Sequence, residues 1–211
     1  MTDATVTAEK LLQAEAVKLS PSSPFTWASG WKSPIYCDNR KLLSLPFTRD
    51  YIKSELANTI FEKFPDADIV AGVATAGIAW GAMVSDQLKL PFIYVRPKPK
   101  EHGLGNQIEG QYNHGQKIVV VEDLVSTGKS SLQVVDVLRQ NEVEVIGMVS
   151  IFNYRFPQAA QAFEQAAVPI ISLTDYPNLI ALALKKALIE PSEEEILLKW
   201  RSDPANWKGV S

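Results

Sequence analysis

The sequence predicts an α/β fold in which a central, mostly parallel sheet is flanked by helices. Short apolar runs rich in β-branched residues, such as those at 117–121 and 143–151, alternate with segments of helical length and spacing. Strands that alternate with helices in this way form a parallel sheet that is covered on both faces. The length of 211 residues favours a single domain over 1–211. This domain includes a small N-terminal subdomain at roughly 20–45, which we call the hood, together with C-terminal elements.

The elements are expected in the following order. Residues 4–19 have helical spacing, residues 20–40 are interrupted by Pro and Gly and predict short irregular strands, and residues 47–64 predict a helix. Five strands are then predicted, at 68–72, 91–95, 117–121, 143–151 and 168–173. Four helices are predicted between and after them, at 78–88, 129–140, 157–166 and 178–188. Residues 200–211 are polar and are expected on the surface.

Composition narrows the classes of function. The formal charge is −3, and the basic residues are scattered except at 96–100, so a nucleic-acid-binding surface is not expected. The single cysteine, Cys37, excludes an intramolecular disulfide and fits a reducing cytoplasm. With two histidines it also cannot form a Cys/His zinc cluster. The uncharged stretch 69–85 is shorter than the ~20 residues of a membrane span, and no signal peptide is apparent.

Residues 119–131 carry the strongest functional signal. An apolar strand leads to two acids, Glu122 and Asp123, then to a loop of Ser, Thr and Gly, and then to a helix. Backbone N–H groups at a helix N-terminus attract phosphate, the hydroxyls at 126–131 add donors, and Gly128 permits close approach of the ligand. The acids can accept hydrogen bonds from ribose hydroxyls. A plain strand-to-helix turn with solvated acids is the alternative, whereas a Walker A loop would need glycine where Asp123 stands.

Residues 96–115 form a long segment with four glycines and no periodic pattern, which is typical of a lid or a binding loop. Arg96, Lys98, Lys100 and His102 place four potential donors on it. Such a loop can close over pyrophosphate and exclude water. The alternative is a solvated basic loop.

Four segments of the chain resemble a known family. Residues 119–131 resemble the phosphoribosyl pyrophosphate (PRPP) signature of the type I phosphoribosyltransferases. Residues 25–40, 72–78 and 96–105 resemble the hood, the pyrophosphate loop and the mobile catalytic loop of the orotate phosphoribosyltransferases, and they occur in the order found in that family.

The resemblance implies the type I phosphoribosyltransferase fold and the conversion of orotate and PRPP to orotidine 5′-monophosphate and pyrophosphate in pyrimidine biosynthesis. It implies Mg²⁺ that keeps most of its ligands from substrate and water, so no metal-binding side chain is assigned. It also implies a cytoplasmic homodimer with shared active sites and no nucleic-acid or membrane partner. Two alternatives are another type I phosphoribosyltransferase, acting on a purine or uracil, and a PRPP-binding regulator. The hood favours orotate, and a regulator would need a nucleic-acid-binding part.

The resemblance also assigns residues to roles. Lys100, His102 and Asp123 are the expected catalytic residues. PRPP is expected to contact Arg96, Lys100, His102, Glu122, Asp123, Leu124, Val125, Ser126, Thr127, Gly128, Lys129 and Ser130. Orotate is expected to contact Ser126, Tyr36 and Cys37, with its carboxylate on Arg40 or Arg155. Some members of the family carry lysine at the positions of Ala28, Ala76 and Pro97, and the family's orotate-binding arginine is replaced here by Asn153.

Overall fold

The structure is a computed structural model that describes residues 3–27, 29–98 and 106–209. The strands are β1 (Val17–Leu19), β2 (Phe25–Thr26), β3 (Lys32–Ser33), β4 (Ile35–Cys37), β5 (Ile69–Val73), β6 (Phe92–Val95), β7 (Ile108–Glu109), β8 (Lys117–Val125), β9 (Glu144–Asn153) and β10 (Ile170–Asp175). The helices are α1 (Ala4–Gln13), α2 (Pro46–Lys63), α3 (Ala76–Leu88), α4 (Lys129–Gln140), α5 (Pro157–Gln165), α6 (Tyr176–Lys185) and α7 (Pro191–Ser202). A short 3-10 helix covers Asn39–Ser44.

Six strands form the central sheet, in the order β10-β9-β8-β5-β6-β7. Every neighbouring pair is parallel except β6 and β7, which are antiparallel. The carboxyl ends of β5, β6 and β8 therefore meet at one edge, where a ligand site is expected in such a sheet. The predicted α/β fold with a mostly parallel sheet is confirmed.

Both faces of the sheet are buried because side chains alternate along each strand. On β8, Val119 and Val121 join a core with α1, α2, α3 and α6, whereas Ile118 and Val120 join a second core with α4 and α5. The alternation explains why β8 is apolar without interruption over its first half. Within the described ranges, no helix has both the length and the apolar character that crossing a membrane requires.

The hood consists of two small antiparallel strand pairs, β1 with β4 and β2 with β3, followed by the 3-10 helix. An aromatic cluster attaches it to α7. The Trp200 ring lies 5.7 Å from that of Trp27 and 5.8 Å from that of Tyr154, and Trp200 Nε1 donates to the Lys32 carbonyl at 3.0 Å. The expectation that residues 200–211 lie on the surface is wrong for Trp200, which is fully buried.

Three further predictions are corrected. The helix predicted at 4–19 ends at Gln13, because Glu15 has a positive φ of 49° and residues 17–19 pair with β4 instead. The segment 96–115, for which no regular element was predicted, contains the strand β7. This strand has 2 residues, so it is too short to produce a periodic pattern in the sequence. The strand predicted at 117–121 continues to Val125, because its pairing with β9 extends to Val125 opposite Asn153.

Candidate active site

Glu122 and Asp123 lie within β8, not in the loop after it. The Glu122 side chain is only 5% exposed. Its Oε1 accepts from the Asp123 backbone N–H at 3.0 Å and its Oε2 accepts from Ser131 Oγ at 3.1 Å. The Ser131 hydroxyl, expected as a phosphate donor, thus holds Glu122 in place.

The two carboxyls have perturbed acidity. Burial raises the pKa of Glu122 well above its usual range, and the neighbouring charge of Asp123 raises it further. Burial also raises the pKa of Asp123, while Glu122 and the nearby Arg40 guanidinium act in the opposite direction. A positively charged group or ligand at this strand end would lower both pKa values and favour the ionised carboxylates.

Residues 126–128 and the start of α4 form the phosphate-type loop. Gly128 has a φ of 79°, and a Cβ there would lie 2.9 Å from the Phe163 ring, so both the turn and the packing require glycine. No side chain caps α4, which leaves first-turn N–H groups available to an anion. Lys129 and Ser130 are exposed at this helix start.

The loop Ala74–Thr75–Ala76 joins β5 to α3 and faces the acids. It is set by close backbone packing, because a Cβ at Gly77 would lie 2.6 Å from the Val121 carbonyl oxygen and one at Gly72 would lie 2.7 Å from the Gly77 carbonyl oxygen. The start of α3 therefore presses against the ends of β5 and β8.

A cavity of about 350 Å³, which we call the acidic cavity, opens between these elements. It is lined by Cys37, Asp38, Arg40, Val73, Ala74, Thr75, Ala76, Glu122, Asp123, Leu124 and Ser130. Its size and polar lining suit a sugar and a phosphate group.

A second cavity of about 360 Å³, which we call the aromatic cavity, adjoins the first. It is lined by Thr26, Trp27, Tyr36, Cys37, Leu124, Ser126 and Tyr154. Cys37 and Leu124 belong to both linings, so the two cavities share a wall. Flat aromatic surfaces beside a few polar groups are suited to a planar heterocycle.

Asn39 fixes the hood to the acids, a role that no pattern in the sequence predicts. Its side chain is fully buried, and its Nδ2 donates to the Asp123 carbonyl at 2.6 Å. The Cys37 thiol donates to Asn39 Oδ1 at 3.4 Å. Burial, together with the charges of Asp123 and Asp38, raises the pKa of that thiol, which argues against Cys37 as a nucleophile.

The remaining basic residues are dispersed. Arg40 lines the acidic cavity, whereas Arg155 pairs with Asp175 at 3.0 Å and lines a separate cavity beside Phe163. Arg96, just beyond β6, lies 3.8 Å from Glu109. Lys100 and His102 fall outside the described residues. Within the described ranges, no group of three or more His, Cys, Asp or Glu side chains could hold a metal ion.

Comparisons with known proteins agree on one family. A phosphoribosyl transferase domain model matches residues 50–167. Orotate phosphoribosyltransferases of Bacteroides fragilis and Listeria monocytogenes are 53% and 50% identical to this chain, covering 95% of it and 95% and 96% of their own lengths. The solved orotate phosphoribosyltransferase of Aeropyrum pernix aligns with a TM-score of 0.75 and 28% identity over 87% of this chain and 99% of its own. The UMP synthase of Leishmania donovani aligns with a TM-score of 0.79 and 25% identity over 94% of this chain, which spans 42% of that longer protein.

Proposed function

The chain belongs to the orotate phosphoribosyltransferases, within the phosphoribosyl transferase family, and we infer that its two adjoining cavities carry out that family's reaction. The enzyme is a pentosyltransferase that transfers the ribose 5-phosphate group from PRPP to orotate, giving orotidine 5′-monophosphate and pyrophosphate in pyrimidine biosynthesis. The observation that carries this conclusion is the high identity to orotate phosphoribosyltransferases over nearly the whole chain.

We propose that each cavity takes one substrate. The 5-phosphate binds at the loop 126–130 and the start of α4, and the ribose lies against Glu122 and Asp123. Orotate enters the aromatic cavity, where Ser126, Tyr36 and Cys37 contact it. The wall that the two cavities share supports this assignment of the substrates. It would place the orotate ring in the aromatic cavity next to the ribose in the acidic cavity.

The reaction replaces one bond at the sugar C1 with another. The bond from C1 to the pyrophosphate oxygen breaks, the N1 atom of orotate forms the new bond, and the N1 proton passes to the departing pyrophosphate through solvent. Positive charge develops on the ribose, and the carboxylates of Glu122 and Asp123 stabilise it through space. Lys100 and His102, the residues that the family resemblance assigns to this role, stabilise the departing pyrophosphate. Most of the rate enhancement then comes from positioning and electrostatics.

Mg²⁺ is the proposed cofactor. The two carboxylates at the cavity wall fit an ion that reaches the enzyme with PRPP and keeps most of its ligands from substrate and water. When bound, it neutralises charge on the pyrophosphate. We also propose a cytoplasmic location, from the single free cysteine.

A direct assay tests the proposed function. Loss of orotate absorbance is followed with PRPP, with and without Mg²⁺, and each purine base and uracil is then offered in place of orotate. Consumption of orotate that depends on both PRPP and Mg²⁺ is expected. Faster turnover of a purine or uracil would contradict the substrate assignment, and PRPP binding without turnover of any base would indicate a regulator.

We propose a homodimer in which the segment 96–105 of one subunit completes the other's site. Lys100→Ala and Asp123→Asn are each expected to lower kcat by at least ~10²-fold. When the two inactive proteins are dissociated and mixed, half of the dimers are hybrids with one intact site each. Activity should then return to about one quarter of the wild-type level. Recovery of no activity from confirmed hybrids would show that the loop acts within its own subunit.

A further inference from the structure

Arg40 is a charged side chain that is held in one place at the mouth of the acidic cavity. Asp38, the residue before the 3-10 helix, accepts from both the Arg40 backbone N–H at 3.2 Å and Arg40 Nε at 2.6 Å on the same oxygen, Oδ1. A guanidinium has five N–H donors, so the four on Nη1 and Nη2 remain. Within the described ranges these four have no hydrogen-bond partner, and the side chain is 61% exposed.

Arg40 is the positively charged side chain among the carboxyl groups that line the acidic cavity. Three carboxyls line the cavity, those of Asp38, Glu122 and Asp123, and Arg40 is the only cation that the described residues bring to the lining. The facing loop Ala74–Thr75–Ala76 offers no cationic side chain. Among the described lining residues, Arg40 is therefore the side chain whose charge can add to that of Mg²⁺ in offsetting these carboxylates when a pyrophosphate group enters the cavity.

Arg40 is placed to meet the phosphate end of the substrate and not the base. It lines the acidic cavity together with Thr75 and Ser130 but is absent from the lining of the aromatic cavity. The family resemblance leaves Arg40 and Arg155 as alternative ligands of the orotate carboxylate. The geometry favours the other cavity, and a guanidinium is well suited to phosphate oxygens because it can donate two parallel hydrogen bonds.

We propose that Arg40 is a pyrophosphate ligand, oriented by Asp38, that offsets the charge of Glu122 and Asp123 when PRPP binds and when pyrophosphate leaves. This proposal rests on the proposed function for the identity of the substrate. Asp38 occupies the Nε donor and the backbone N–H of Arg40, so that the terminal nitrogens of the guanidinium stay available to the ligand.

The first test is a calorimetric titration of the protein with magnesium pyrophosphate. This measurement of binding does not depend on turnover of orotate. Arg40→Gln is expected to weaken binding at least ~10-fold, the scale of one charge-assisted hydrogen bond, and Arg40→Lys should weaken it less. Arg155→Gln is the matched control, since Arg155 Nε is also held by an aspartate, at 3.0 Å, but outside the acidic cavity. It should leave pyrophosphate affinity unchanged.

Steady-state kinetics supply the second test. Arg40→Gln should raise KM for PRPP at least ~10-fold and leave KM for orotate within about threefold of the wild-type value. A rise confined to KM for orotate, or unchanged pyrophosphate affinity, would overturn the proposal. If the wild-type enzyme consumed no orotate, the proposed function would fail, while the pyrophosphate titration would still decide the role of Arg40.

Discussion

Replacing Asn39 by alanine tests whether the hood holds the acids in their working position. The variant loses the 2.6 Å hydrogen bond from Nδ2 to the Asp123 carbonyl and leaves that oxygen without its donor. An unsatisfied buried group costs about 1–3 kcal/mol, and the truncated side chain was fully buried. We expect a total loss of about 2–3 kcal/mol, which corresponds to a fall in Tm of roughly 4–12 °C for a protein of this size.

The effect on activity should exceed what the stability loss explains. Asp123 would no longer be fixed against the hood, and a shift of about 1 Å in a positioned group can cost ~10²-fold in rate. Activity is assayed well below the Tm of the variant, with orotate and PRPP varied in turn. We expect kcat/KM to fall by about that factor.

Asn141→Ala is a matched control for this prediction. Asn141 also makes two side-chain hydrogen bonds, accepting from Tyr112 Oη at 3.1 Å and donating to the Val137 carbonyl at 2.8 Å, but it lines neither the acidic nor the aromatic cavity. Because Asn141 is only half-buried, this variant should lose no more stability than Asn39→Ala and should keep full activity. If Asn39→Ala behaved in the same way, with kcat/KM within threefold of wild type, the positioning role of Asn39 would be refuted.

Three further predictions follow from the site. Because the native state raises the pKa of Glu122, it binds that proton more tightly than the unfolded state, and stability falls as pH rises through the native pKa. Glu122→Gln should therefore melt at a higher temperature than wild type at neutral pH, show no such gain in acid, and lose activity; equal gains at every pH would contradict this. Gly77→Ala would place a methyl group 2.6 Å from the Val121 oxygen, so we expect a loss of about 1–3 kcal/mol by denaturant titration and a higher KM for PRPP, whereas a neutral result would argue against close packing there. Trp200→Phe removes the bond to the Lys32 carbonyl, and KM for orotate should rise while KM for PRPP stays constant; equal changes in both would point to a general structural defect.

The arrangement of the sheet could be predicted because its signals are local. The apolar runs that became β5, β6, β8 and β9 follow from burial on both faces. The end of β8 could not be predicted, because two adjacent acids normally mark a loop and are seldom buried. Their burial is supported by hydrogen bonds from Ser131 to the Glu122 side chain and from Asn39 to the Asp123 carbonyl. Ser131 is one of several polar residues after the strand, and Asn39 is distant in sequence, so neither partner could be identified from the sequence.

The segments that form the site could be predicted from the sequence, but the contacts between their side chains could not. The loop 126–130 follows from its composition, and the structure brings Tyr36 and Cys37 to the same cavity as Ser126. Nothing in the sequence indicates that Asn39 reaches the backbone of Asp123, 84 residues away. The burial of Trp200 was missed because the residues that follow it are mostly polar, although Trp200 and Leu197 are the buried residues of α7. The roles of Lys100 and His102 stay predictions.

The contact between the hood and α7 limits the order in which parts of the protein can fold during synthesis. The Lys32 carbonyl and the Trp200 indole are 168 residues apart in sequence. At a synthesis rate of about 5–20 residues per second, the ribosome needs roughly 10–30 s to add the second partner after the first. During that interval Trp27 has no Trp200 to pack against. The wall of the aromatic cavity is therefore among the last parts of the molecule to form, and a nascent chain that already has most of its sheet should not yet bind the base.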